Sequence, residues 1–128
     1  MLNIFNFFKR KERKKVKKQA VNLSKFNLSD PVDRNQAGIQ LEKNGSVNEA
    51  IKLYEANLEE NFEGNHPYDR LAIIYRRKKL YDDEKRVHKK AIKVFEEHVP
   101  KNRADRKPKL EKFQNRLEKL NQIIEKQQ

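Results

Sequence analysis

The sequence has no cysteine, no tryptophan, one methionine and only three glycines and four prolines among 128 residues. Without cysteine there is no disulfide, no thiol nucleophile and no zinc-finger site, a composition that fits a reducing, cytoplasmic compartment. Three glycines leave no phosphate-cradling loop, since neither G-x-x-x-x-G-K nor G-x-G-x-x-G occurs. His66, His88 and His98 stand at no metal-ligand spacing, and no metal or cofactor is expected. No apolar run approaches the roughly 20 residues needed to span a bilayer. Apolar residues are also scarce, at 35%, so one small domain with a thin core is the most that the chain can build.

What the sequence has in quantity is charge, 39% of residues with a net +12, and it is placed unevenly. Residues 1–18 carry eight Lys/Arg against one Glu, whereas residues 19–64 carry four against eight acids. Residues 65–98 carry ten against six, and residues 99–128 nine against four. An acidic segment therefore lies between basic neighbours, with about the excess that a solvated helix surface shows.

The clearest pattern lies over Asn65 to Phe95. Tyr68, Leu71, Ala72 and Tyr75 recur at helical spacing, and after a break so do Val87, Ala91, Ile92 and Phe95. Shifted by 34 positions the pattern repeats: Ala37-Gly38 falls over Leu71-Ala72, Leu41 over Tyr75, Tyr54 over His88 and Leu58 over Ile92. Ile51 falls over Lys85, a mismatch. A period of 34 residues marks helix-turn-helix units that bury their apolar faces only by stacking.

On these residues the chain resembles the tetratricopeptide repeat family over roughly half its length. Ala37-Gly38 hold the small-residue contact of a first helix A, Gly45 the turn, Ala50 the helix crossing and Tyr54 the large position of helix B. In the second copy Tyr68 stands where tryptophan is usual, and Leu71-Ala72, Tyr75, Tyr81 and Ala91 follow in register. Lys79 replaces the turn glycine, Glu84 the crossing alanine and His88 the aromatic, which implies a looser second hairpin with its helix B displaced or partly solvated. The resemblance implies an all-α fold: two such repeats over 30–107, a closing helix over 108–128, and a right-handed α-α superhelix fragment. Such domains generally bind proteins or peptides, and catalysis is not expected of them.

Local signals set the element ends. Residues 19–29 read as a linker, with Phe26 or Leu28 laid onto the first hairpin. Ser29 or Asp30 caps the first helix, and Pro31 takes its first position. Asn44-Gly45 ends it, and Ser46 with Glu49 forms a capping box for the next helix, which runs to about Asn61. Pro67 starts the second helix A, which ends near Lys79. Its helix B runs from about Asp82 to His98, stopped by Pro100, and Pro108 opens the last helix. There Leu110, Phe113, Leu117, Leu120 and Ile124 step by 3 and 4, a seam that covers the second hairpin or pairs with a second copy in a dimer.

By the family's register, the concave groove is lined by Asn35, Ile39, Glu42 and Lys43 in the first copy and by Asp69, Ile73, Arg76 and Arg77 in the second. An asparagine near Lys or Arg can clamp a carboxylate or phosphate, and the isoleucines suit an apolar side chain. The bland alternative is that Arg76 to Lys79 merely end a helix, where cations suit the macrodipole. On the first account, reversing charge at Arg76 and Arg77 should abolish capture of a partner without unfolding the chain. Asp82-Asp83-Glu84 read as acids at a helix N-terminus, and His88 as a partly buried core residue.

The first eighteen residues form a separate basic-aromatic arm. On a helix Met1, Ile4, Phe5 and Phe8 share a face, and Lys9, Arg10, Lys11, Arg13, Lys14 and Lys15 follow. A secretory signal has the opposite order, charge before apolar residues. Three uses remain open: an anchor on an anionic membrane surface, a contact to nucleic-acid phosphates, or a solubilising start whose aromatics fold back onto the repeats. The expected function is a non-catalytic protein- or peptide-binding adaptor, peripheral at a membrane if the arm is an anchor. A nucleic-acid-binding protein is the alternative.

Overall fold

The computed structural model describes residues 20–128, and the arm expected over 1–18 lies outside them. Among the described residues the protein is all-helical and has no strand. A 3-10 turn, Leu23–Lys25, precedes α1 (Pro31–Lys43), α2 (Val47–Glu59), α3 (His66–Arg77), α4 (Tyr81–Glu97) and α5 (Arg106–Lys126). Each α-helix packs chiefly on its neighbours in sequence: α1 on α2, α2 on α3, α3 on α4 and α4 on α5. No helix here is long and apolar enough to cross a membrane.

The helix starts follow capping chemistry in part. Asp30, not Ser29, caps α1, its Oδ2 accepting from the Asp33 N–H at 2.9 Å. The capping box expected for α2 is not formed, because Ser46 makes no side-chain cap bond. Its Oγ instead accepts from Asn44 Nδ2 at 3.1 Å. The last helix begins at Arg106, so Pro108 sits inside its first turn, where no intrahelical N–H bond is lost.

Three helices end in one device. The residues at Gly45, Asn61 and Lys79 have φ of 82°, 57° and 58°. In each, the following N–H reaches back to close the last turn: Ser46 to Leu41, Phe62 to Asn57 and Leu80 to Tyr75 at 2.8, 3.1 and 2.9 Å. This is the Schellman ending, in which a left-handed residue satisfies otherwise orphaned carbonyls. Gly45 and Lys79 are 34 positions apart, so the second hairpin makes the same turn although a lysine replaces the glycine.

The core runs along the stack as one cluster that includes Leu41, Tyr54, Leu71, Tyr75, Val87 and Val94. Phe113 of α5 closes it, its ring 6.0 Å from that of Tyr68 and 5.6 Å from that of Phe95. Phe113 and Leu120 of the 3-4 seam are buried inside the chain, and Leu110, Leu117 and Ile124 are half-buried. The seam therefore packs onto its own chain. The segment before α1 contributes Val21 and Leu23 to the core, whereas Leu28, one of the two residues expected there, is exposed.

The first hairpin is held by a polar network as well as by packing. Arg34, almost fully buried, donates to Asn57 Oδ1 at 2.8 Å and to both carboxylate oxygens of Glu60 at 2.7 and 2.8 Å. It also reaches the carbonyls of Leu28 and Ser29. Asn57 Nδ2 donates to Pro31 O and Asn35 Oδ1, so no member is left half-satisfied.

Gly38 marks the closest crossing of α1 and α2. A Cβ built there would lie 2.4 Å from Tyr54 Cε1, and that ring is fully buried with its hydroxyl donating to Glu42. Overpacking costs about 1–3 kcal/mol, against about 1 kcal/mol regained by replacing a helical glycine with alanine. Gly38→Ala is therefore expected to destabilise in thermal unfolding, and to stabilise once Tyr54→Leu has removed the obstructing ring. Stabilisation by Gly38→Ala in both backgrounds would refute this account of the crossing.

Candidate functional site

Residues on α3, α4 and α5 together enclose a cleft of about 460 Å³. The α3 wall carries Asp69, Ala72, Ile73, Arg76 and Arg77. Glu84 and His88 of α4 form its base, and Arg116, Lys119 and Ile123 of α5 the opposite wall. The four second-copy positions expected in the groove are thus brought together. Helical spacing does this, since 69, 73, 76 and 77 fall on one face of α3.

The first-copy positions behave differently. Asn35 is buried and accepts from Asn57 at 2.8 Å, so its amide carbonyl is committed to the fold and does not face a ligand. Ile39 is half-buried and does not line the cleft. Glu42 accepts from the Tyr54 hydroxyl at 2.7 Å and from Arg70 Nη2 at 2.7 Å. Burial by itself would raise the Glu42 carboxyl, but these hydrogen bonds outweigh it and hold the group below the usual range. Lys43 lines a second recess at the turn ends of α1 and α3, together with Val47, Arg70 and Ile74, and Arg77 borders that recess as well.

Inside the cleft the charges are partly spent. Arg76 makes a two-pronged ion pair with Glu84, at 2.6 and 2.7 Å, and Arg116 Nη1 donates to Asp69 at 2.5 Å. Glu84, read as an acid at a helix N-terminus, does stand in the first turn of α4, but it is only 2% exposed and so is also an interior residue. Of the expectation that the second helix B is displaced or partly solvated, the second alternative is corrected: His88 and Glu84 are both buried, and Val87, Ala91, Val94 and Phe95 line the same helix face. An ion pair stands where the first copy has an alanine crossing. Arg77 and Lys119 are exposed and have no acidic partner among the described residues. Ile73 is 38% exposed, although its neighbours Leu71, Ala72 and Ile74 are buried.

His88 Nε2 lies 3.1 Å from Glu84 Oε2. A carboxylate only accepts, so in the neutral ring the hydrogen sits on Nε2 and leaves Nδ1 buried without a partner. Burial lowers the His88 pKa, Glu84 opposes this, and Arg116 and Arg76 add to the lowering. His66, edge-on to Tyr54 with its Nε2 buried and unpartnered, is lowered mainly by burial too. Unfolded histidines titrate near pH 6.5, so between that pH and the lower folded values the unfolded chain binds more protons. Stability is therefore complete above about pH 6.5 and falls as the solution is acidified, before the carboxylates titrate. The urea midpoint should drop from pH 7.5 to pH 5.5, and less so in His66→Phe. An unchanged midpoint would contradict the burial of both rings.

Sequence reasoning missed Glu84, His88, Arg116, Lys119 and Ile123. Arg116 and Lys119 flank Phe113 and Leu120 at one turn or less, a signal that an all-apolar seam count passes over. Among the described residues no group of His, Asp or Glu could hold a metal ion. The cleft lining carries no hydroxyl or thiol. The expected arm residues Phe5, Phe8, Lys9, Arg10, Lys11, Arg13, Lys14 and Lys15 lie outside the described residues. Compared with protein-family models, with curated proteins and with solved structures, the chain matches none.

Proposed function

We propose that the chain is a non-catalytic adaptor module, two tetratricopeptide-like hairpins closed by α5, that holds a protein or peptide on the concave side of its stack. The observation that carries this reading is the convergence of Asp69, Ile73, Arg76 and Arg77 with three α5 residues in one cleft. Nearest-neighbour packing and the Schellman turns 34 positions apart support the repeat reading. A cleft without hydroxyl or thiol suits holding better than reacting. The basic arm would bring the module to an anionic surface such as a membrane.

The rival reading, nucleic-acid binding through the basic surface, draws on the net charge of +12. The two separate in salt. Phosphate contacts weaken steeply and regardless of sequence, whereas groove recognition survives moderate salt and depends on ligand sequence. The test is retention of partner from the native host's extract, with and without nuclease, by the wild type and by Ile73→Asp. Capture that resists nuclease and is lost in Ile73→Asp supports the module, and capture abolished by nuclease in the wild type overturns it.

A further inference from the structure

We infer that the cleft takes a peptide segment carrying an apolar side chain between acidic ones, and that α5 is a recognition element of that site as much as the cover of the core. This rests on the peptide-binding reading above and names its ligand class. The charge balance of the walls is the first ground. Four cations meet two acids, and both acids are already engaged, Glu84 by Arg76 and Asp69 by Arg116. The surplus is Arg77 from α3 and Lys119 from α5, one on each wall and both exposed. A complementary ligand brings about two negative charges, spaced to reach both walls.

The second ground is the apolar surface between them. Ile73 is 38% exposed on a helix whose other large apolar residues are buried, and Ile123 faces it from α5 across the cleft. An apolar side chain placed there removes both from water. The internal ion pairs matter here too. Arg76 and Arg116 are fixed by Glu84 and Asp69, so the walls hold their shape without a ligand, which lowers the ordering cost of binding. A nucleic acid fits worse, because single-strand binding stacks bases on exposed aromatics and no Phe, Tyr or Trp ring lines this cleft.

The experiment is selection of a displayed library of random peptides on the full-length protein. Enriched sequences are then synthesised with a fluorescent label and titrated by anisotropy against wild type, Arg77→Glu/Lys119→Glu and Ile73→Asp. The expected result is enrichment of acidic sequences with an apolar residue among the acids, bound at least tenfold more weakly by each variant. Both variants should keep the wild-type helical circular-dichroism signal, and Arg77→Glu/Lys119→Glu also the wild-type melting temperature, since those two side chains are exposed and unpaired among the described residues. Enrichment of basic or uncharged sequences alone would overturn the ligand class and leave the module reading standing. Acidic sequences bound equally by the Arg77→Glu/Lys119→Glu protein would overturn the site. If no peptide is enriched and a labelled single-stranded oligonucleotide is bound with the same charge-reversal sensitivity, both the inference and the reading beneath it fail.

Discussion

Replacing Phe113 with alanine is expected to remove about 3–5 kcal/mol of stability, a large share of the 5–15 kcal/mol typical of a domain. The ring is 1% exposed and is the contact through which α5 reaches both Tyr68 of α3 and Phe95 of α4. The guanidinium of Arg116 lies 5.6 Å from the same ring, so truncation also removes a cation–π partner on the cleft wall. Urea unfolding gives the loss directly. Native-state hydrogen exchange then distinguishes release of α5 alone from unfolding of the whole stack. If Phe113→Ala unfolds within 1 kcal/mol of the wild type, as judged against the usual scale for core truncation, α5 is not anchored as described.

Arg76→Glu should also be a stability variant, whatever it does to binding. It takes the guanidinium away from the buried Glu84, leaving it only the His88 ring, and sets a second carboxylate against it. Breaking a buried ion pair from one side costs about 3–5 kcal/mol, and the low end applies because the Arg76 side chain is 42% exposed. Arg77→Glu, one residue along, should stay within about 0.5 kcal/mol of the wild type because its side chain has no such partner. Paired urea titrations of the two single variants decide the matter, and equal stabilities would mean that Glu84 does not depend on Arg76. The joint reversal of Arg76 and Arg77 is therefore a poor probe of the groove, contrary to what the sequence suggests. Arg77 with Lys119 is the clean pair.

The helical hairpins were legible because their signals are local. Pro31, Asn44-Gly45, Pro67 and Pro100 mark ends, and apolar spacing between them marks the buried faces, so the observed helices fall within a few residues of the expected ones. What was hidden depends on partners far along the chain. Asn35 looked like a groove residue because nothing nearby shows that Asn57, 22 positions on, claims its carbonyl. Glu84 is the first-turn acid expected of it, but its burial was hidden because Arg76 reaches it only once the α3–α4 hairpin has closed. For α5, the apolar seam set the helix against the core, and its basic flank acquired a meaning only when α3 stood opposite. Lys79 shows the reverse case: its side chain argued against the turn, but the backbone bonds of the helix end hold it there.

Because each helix leans chiefly on the one before and the one after, with connections of three to eight residues between them, most contacting pairs are near in sequence. Little chain entropy has to be surrendered before a contact forms, and all-helical proteins of such low contact order refold on the order of microseconds to milliseconds. The stack can be expected to assemble hairpin by hairpin, without waiting for its two ends to meet. Stopped-flow dilution from urea should find refolding complete near the instrument's dead time.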